Sequence, residues 1–158
     1  MSVDIVRPAF TILLGKPASG KSHLLKYLLL LDHLDDNDDP IQYAIVFTNT
    51  KFNHQWTELF PQEYVHPHYD PAVLQALMDI RAENSHNRVA VIFDDCLDQK
   101  AFASQLFLNL STQYRHFNIN LFISTQYLYR IPPVVRECAS RVAIFRLTTE
   151  RSLKAAFE

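Results

Sequence analysis

The 158-residue chain contains only two glycines, Gly15 and Gly20, and both lie in one octapeptide, GKPASGKS. An average chain of this length would carry about eleven. Glycine is required where the backbone turns with positive φ or approaches another group closely. A chain that otherwise avoids glycine has kept it at two points five residues apart. The octapeptide Gly15-Lys16-Pro17-Ala18-Ser19-Gly20-Lys21-Ser22 satisfies G-x-x-x-x-G-K-[ST]. It follows an apolar run, FTILL (10–14), that reads as a buried strand. It opens an apolar stretch (21–31) with helical spacing. Successive backbone N–H groups in such a loop can wrap a phosphate, and the helix N-terminus adds positive potential. Lys21 is placed to bridge β- and γ-phosphates, and the Ser22 hydroxyl to ligate Mg²⁺.

Two further segments end in polar groups after buried strands. Val89-Ala90-Val91-Ile92-Phe93 runs straight into Asp94-Asp95. Ligands in open α/β sheets bind at the C-terminal ends of strands, so these carboxylates belong at the same edge as the phosphate loop. Asp94 is suited to hold Mg²⁺ together with Ser22. Asp95 is placed to orient and polarise an attacking water; its alternative role is to cap the following turn. Leu121-Phe122-Ile123 ends in Ser124-Thr125-Gln126. The Gln126 amide can donate to a γ-phosphate and accept from water.

The remaining pattern alternates short apolar strands with helices. Strands are expected at 10–14, 43–48, 89–93, 120–124 and 142–147. Helices are expected at 21–31, 71–83, 100–117, 132–140 and 149–157, and residues 51–70 read as irregular. Continuous apolar strands between helices imply a mostly parallel sheet covered on both faces, hence an α/β domain over 1–158. With 48% hydrophobic and 20% charged residues, disorder is not expected. No apolar run approaches the ~18–20 residues of a membrane span. The N-terminus, MSVDIVRPAF, lacks a basic segment followed by an apolar one, so no secretion signal is expected.

Charge divides unevenly. Residues 1–114 carry 8 Lys and Arg against 14 Asp and Glu, whereas residues 115–158 carry 7 against 3. The basic end could face an anionic partner; a mixed surface with one acidic loop is the simpler reading. In that loop, Asp35, Asn37 and Asp39 alternate like the start of a calcium loop, but the glycine and the terminal glutamate of such a loop are missing. His66 and His68 flank Pro67 on a possible short strand and read as surface residues rather than metal ligands. The two cysteines, Cys96 and Cys138, do not suggest a disulfide scaffold.

The order of phosphate loop, strand, carboxylate strand and polar-ended strand resembles the additional-strand branch of P-loop ATPases. That resemblance implies a three-layer RecA-like P-loop NTPase with sheet order 5-1-4-3-2, counting the five expected strands along the chain. GKPASGKS, VIFDD and QYRHFNINLFISTQYLYRIPPVVRECASR narrow it further. Together they resemble the FtsK–HerA superfamily, and within it the genome-packaging ATPases of large DNA viruses and virophages. In that group a basic residue precedes the fourth strand and a glutamine follows it, positions matched here by Arg115 and Gln126. Asp95 departs from the pattern, since cellular members more often have Glu there. The chain also stops at Glu158, soon after the fifth expected strand, where such ATPases commonly continue.

The resemblance implies ATP and Mg²⁺ as ligands, and double-stranded DNA, a homo-oligomeric ring and capsid components as partners. It implies action in the host cytoplasm, a viral factory or the virion, with no membrane involved. A helicase, a conjugation-type translocase or a nucleotide-dependent assembly switch are the alternatives. Arg115 precedes a strand that advances ~3.3 Å per residue toward Gln126, so it begins roughly 20 Å or more from its own subunit's γ-phosphate. It is therefore expected to act as an arginine finger on a neighbouring subunit, or else to pair with an acid at the base of the sheet. Arg130, Arg136 and Arg141 are the other candidates for the finger or for DNA phosphate contacts.

Overall fold

The computed structural model describes residues 8–34, 39–49 and 54–157. Among the described residues six strands form one sheet: β1 (Phe10–Leu14), β2 (Ala44–Thr48), β3 (Val65–His66), β4 (Val89–Asp94), β5 (Ile119–Thr125) and β6 (Arg141–Ile144). Their order is β3-β2-β4-β5-β1-β6, and every pairing is parallel. The five expected strands keep the expected 5-1-4-3-2 order. The difference is the two-residue β3, which adds a sixth strand on the outer edge of β2.

Helices cover both faces. On one side lie α1 (Lys21–Leu34) and the short α2 (His54–Thr57). On the other lie α3 (Pro71–Glu83), α4 (Gln99–Phe102), α5 (Gln105–Gln113) and α6 (Pro133–Cys138). Helix α7 (Glu150–Phe157) closes the chain. Strand side chains alternate between faces with period two. Leu13, Ala44, Val46, Ala90, Ile92 and Phe122 therefore pack with Leu25, Leu29 and Trp56 on the α1 side. Phe10, Ile12, Leu14, Val91, Phe93, Leu121 and Ile123 pack with Leu74, Phe107 and Val135 on the other. The same parity sends Asp94 and Ser124 to the α1 side.

Local chemistry accounts for the boundaries. Asp70 caps α3 by accepting from the Ala72 N–H at 2.9 Å, with Pro71 in the first turn. The helix expected at 100–117 is divided in two. Asp98 caps α4, and the chain then breaks so that Ser104 Oγ can accept from Phe107 N and cap α5. Helix α5 ends at Gln113, and Asn118, at φ 53°, turns the chain into β5. Strand β6 is shorter than the expected 142–147. After Phe145 N donates to Leu14 O at 2.7 Å, the chain leaves the sheet beside the glycine loop.

A buried ionic network ties the opposite edge of the sheet. Asp32, fully buried near the end of α1, accepts from both Arg141 Nη atoms at 3.0 and 2.7 Å and from Asn120 Nδ2 at 2.9 Å. Arg141 Nε also donates to Thr11 Oγ1. Arg88 donates to the carbonyls of Asp32 and Asp39, fastening the end of α1 to the loop beyond it.

Asp35 and Asn37 of the calcium-like pattern, and residues 1–7 of the N-terminus, lie outside the described residues. Among the described residues no three His, Cys, Asp or Glu gather as a metal site. His66 is half-buried, with its ring stacked 5.3 Å from Phe47. No helix among the described residues is long and apolar enough to cross a membrane.

Candidate functional site

The parallel sheet brings three strand ends to one edge. Leu14 stands opposite Thr125, and Ser124 opposite Asp94. Gly15 N donates to Thr125 O at 3.1 Å, which fixes the start of the glycine loop to the end of β5. The two glycines serve different needs. A Cβ at Gly15 would come within 2.7 Å of both Phe145 Cβ and Ser19 Oγ, so the requirement there is close approach. Gly20 has φ +97°, which side chains disfavour. Ala18 also takes a positive φ of 57° at the turn of the loop.

The loop and α1 form an open cradle of about 560 Å³, lined by Ala18 to His23, Lys26, Gln55 and Asp95. Lys16, Pro17 and Ala18 stand exposed around it, and Lys21 is buried beneath. Lys21 Nζ donates to Gly15 O at 2.7 Å and to Lys16 O at 2.9 Å, and lies 3.4 Å from Asp95 Oδ2.

Asp94 is the hub. It is buried, and its carboxylate receives three donors. Ser124 Oγ donates to Oδ1 at 2.8 Å, Trp56 Nε1 to Oδ2 at 2.9 Å, and Ser22 Oγ lies 3.2 Å from both oxygens. The Ser22 hydroxyl and Asp94 are thus adjacent hard oxygen donors beside the cradle. That pairing fits Mg²⁺, which keeps several waters and is held by few protein ligands plus phosphate.

Asp95 lies one residue beyond β4 with φ 51°. This turn swings its side chain away from Asp94 and toward Lys21. Burial raises the Asp95 carboxyl above its ordinary value, Lys21 opposes the shift, and the Asp94 charge adds to it. Asp95 makes no helix cap; Asp98 performs that task for α4. Cys96, next in sequence, has its thiol pushed far up by burial and by the Asp94 charge, so it is not a thiolate near neutral pH.

Gln126 follows β5 at the same edge, half-buried, with no hydrogen bond to another described residue. Arg115 lies at the opposite end of β5. It is exposed, with its guanidinium 5.4 Å from the Tyr114 ring centroid and no ion pair among the described residues. The acid partner considered for it is therefore not present there. Arg141 is the arginine so engaged, through Asp32. Arg130 lies over the Tyr127 ring at 4.3 Å, and Arg136 donates to Ala155 O. Both line a second cavity of about 560 Å³ with Gln99 and Tyr129.

Two site residues escaped sequence reasoning. Ser124 was visible as the first member of a polar triplet. Its register, directly opposite Asp94 on the neighbouring parallel strand, is what sets it apart from Gln126. Trp56 lay in a stretch read as irregular, and its only signal was being the single tryptophan of the chain.

The sheet order, with the glycine loop leading into α1 and β5 between β1 and the carboxylate strand, defines a RecA-like P-loop NTPase fold. Solved structures agree. The genome packaging NTPase B204 from Sulfolobus turreted icosahedral virus 2, in complex with ATP-gammaS, matches with a TM-score of 0.69 at 20% identity. The match covers 96% of this chain and 82% of that one. The chain shares the fold of that NTPase. Among curated proteins it is 32% identical over 150 residues to the uncharacterized protein 075L of Invertebrate iridescent virus 6, covering 90% of this chain and 56% of that protein. It is 27% identical over 143 residues to the uncharacterized protein 015R of Frog virus 3 (isolate Goorha), covering 85% of this chain and 43% of that protein. The chain thus spans about half the length of these curated relatives. No protein-family model matches it.

Proposed function

We propose that the chain binds MgATP in the GKPASGKS cradle, hydrolyses it, and uses the cycle to move double-stranded DNA into a viral capsid as a homo-oligomeric ring. The observation that carries the catalytic part is the arrangement at the end of β4. Asp94 is fixed by Ser22, Ser124 and Trp56, and Asp95 is set apart from it against Lys21.

Backbone N–H groups from Gly15 to Ser22 hold the β-phosphate at the N-terminus of α1. Lys21 exchanges its carbonyl and Asp95 contacts for the β- and γ-phosphates. Ser22 and Asp94 would hold magnesium, which would supply neutralisation of phosphate charge. Asp95, released by Lys21, accepts a proton from the attacking water. The water oxygen forms a bond to the γ-phosphorus while the bond to the β–γ bridging oxygen breaks, giving ADP and phosphate. Gln126, free at the same edge, contacts the γ-phosphate and the water. Arg115 completes the site of a neighbouring subunit, since it is exposed and lies at the far end of β5 from its own cradle.

The motor reading draws on the likeness to B204, whose name states genome packaging. The curated relatives come from viruses, and the chain is proposed to act in the host cytoplasm, a viral factory or the virion. Phosphate contacts give a sequence-independent grip on DNA. Packaging of duplex DNA into purified capsids tests this against a helicase or conjugation-type motor. A nucleotide-dependent assembly switch would show slow hydrolysis without response to DNA.

A further inference from the structure

Trp56 is the chain's only tryptophan and is fully buried on the α1 side of the sheet. Packing explains the burial but not the direction of its N–H. An indole nitrogen is a donor only, so it cannot exchange roles with its partner as a hydroxyl can. Here it donates to Asp94 Oδ2 at 2.9 Å, while Ser124 donates to Oδ1 at 2.8 Å. The two oxygens are held separately, one from α2 and one from β5. Phe60 stacks on the indole at 6.2 Å, and Lys26 Nζ lies 5.3 Å from its ring centroid. Lys26 and the preceding residue, Gln55, both line the cradle. One side chain thus touches the carboxylate at the end of β4 and a cation on the cradle wall.

We propose that Trp56 is a positioning residue for magnesium. Its N–H holds Asp94 in the orientation that faces Ser22, and α2 thereby senses whether the metal is present. This rests on the reading of Ser22 and Asp94 as the magnesium pair. Donors behind a metal-binding carboxylate typically account for 10–100-fold in metal affinity.

Trp56→Phe keeps an aromatic ring against Phe60 and removes only the donor and some volume. In calorimetry it should bind ADP in EDTA as wild type does. The ADP-loaded variant should then bind Mg²⁺ about 10–100-fold more weakly. A purely structural tryptophan would change both measurements or neither. Wild-type Mg²⁺ affinity in Trp56→Phe overturns the proposal while leaving the magnesium pair intact. Wild-type protein that gains nothing from Mg²⁺ overturns the magnesium reading, and this proposal with it. Should Trp56→Phe fail to fold, wild type supplies the test through its single indole. Its emission should shift when Mg²⁺ is added to ADP-loaded protein and stay unchanged when ADP is added in EDTA. No shift on adding Mg²⁺ overturns the proposal.

Discussion

Lys21 Nζ lies 3.4 Å from Asp95 Oδ2, so the lysine expected to grip phosphate holds the acid expected to activate water. In the proposed mechanism nucleotide and Asp95 compete for this cation, and binding of phosphate frees the acid when substrate is present. Lys21→Ala should abolish nucleotide binding measured by calorimetry while the circular dichroism spectrum stays that of wild type. Unchanged affinity would rule out the cradle as the nucleotide site.

Asp95→Asn separates binding from chemistry. Asn tolerates the left-handed backbone that residue 95 adopts at φ 51°, so the turn is preserved. The variant should bind MgATP nearly as wild type does and turn over about 10²–10⁴-fold more slowly, the usual loss for a general base. Full turnover in Asp95→Asn would require a different base.

Arg141→Ala should destabilise the fold without touching the site. It leaves Asp32 fully buried with Asn120 as its remaining side-chain partner among the described residues. Breaking a buried pair costs ~3–5 kcal/mol, and the partial exposure of Arg141 puts the expected loss at the lower end, about 3 kcal/mol. Arg115→Ala, exposed and without an ion pair among the described residues, should change stability by less than ~0.5 kcal/mol. Urea unfolding of the two variants makes the comparison, and equal losses would refute the assignment of Arg141 as the structural arginine.

The parts of the fold readable from sequence were those set by local rules. The apolar runs of β1, β4 and β5 and the Asp70-Pro71 start of α3 needed only burial and capping. The break between α4 and α5 was missed because the apolar periodicity continues across it while Ser104 stops the helix to cap the next one. A short strand near His66 is suggested by the sequence, but two residues carry no pattern, and β3 is defined only by the pairing of Val65 and His66 with β2. At the site, the glycine loop and the two carboxylates were legible because their spacing is contiguous. Trp56 was not, since it reaches Asp94 across 38 positions. The pairing of Arg141 with Asp32 was hidden for the same reason, being a contact across 109 positions.

Arg115 is expected to act in trans. Arg115→Ala subunits keep an intact cradle, and Lys21→Ala subunits keep an intact Arg115. Mixing them creates interfaces that are complete, so hydrolysis should rise above that of either variant alone. Wild-type turnover in Arg115→Ala by itself would refute its role and turn attention to Arg130 and Arg136, which line the second cavity. A protein that stays monomeric with ATP and DNA present would refute the ring as well.

The most direct test of the proposed motor is steady-state ATP hydrolysis by the wild-type chain, with and without duplex DNA, in magnesium and across a salt series. The expected result is magnesium-dependent turnover that duplex DNA stimulates, with the stimulation falling as salt rises because the grip is on phosphates. Turnover that is absent in magnesium, or the same with and without DNA at every salt concentration, would contradict it.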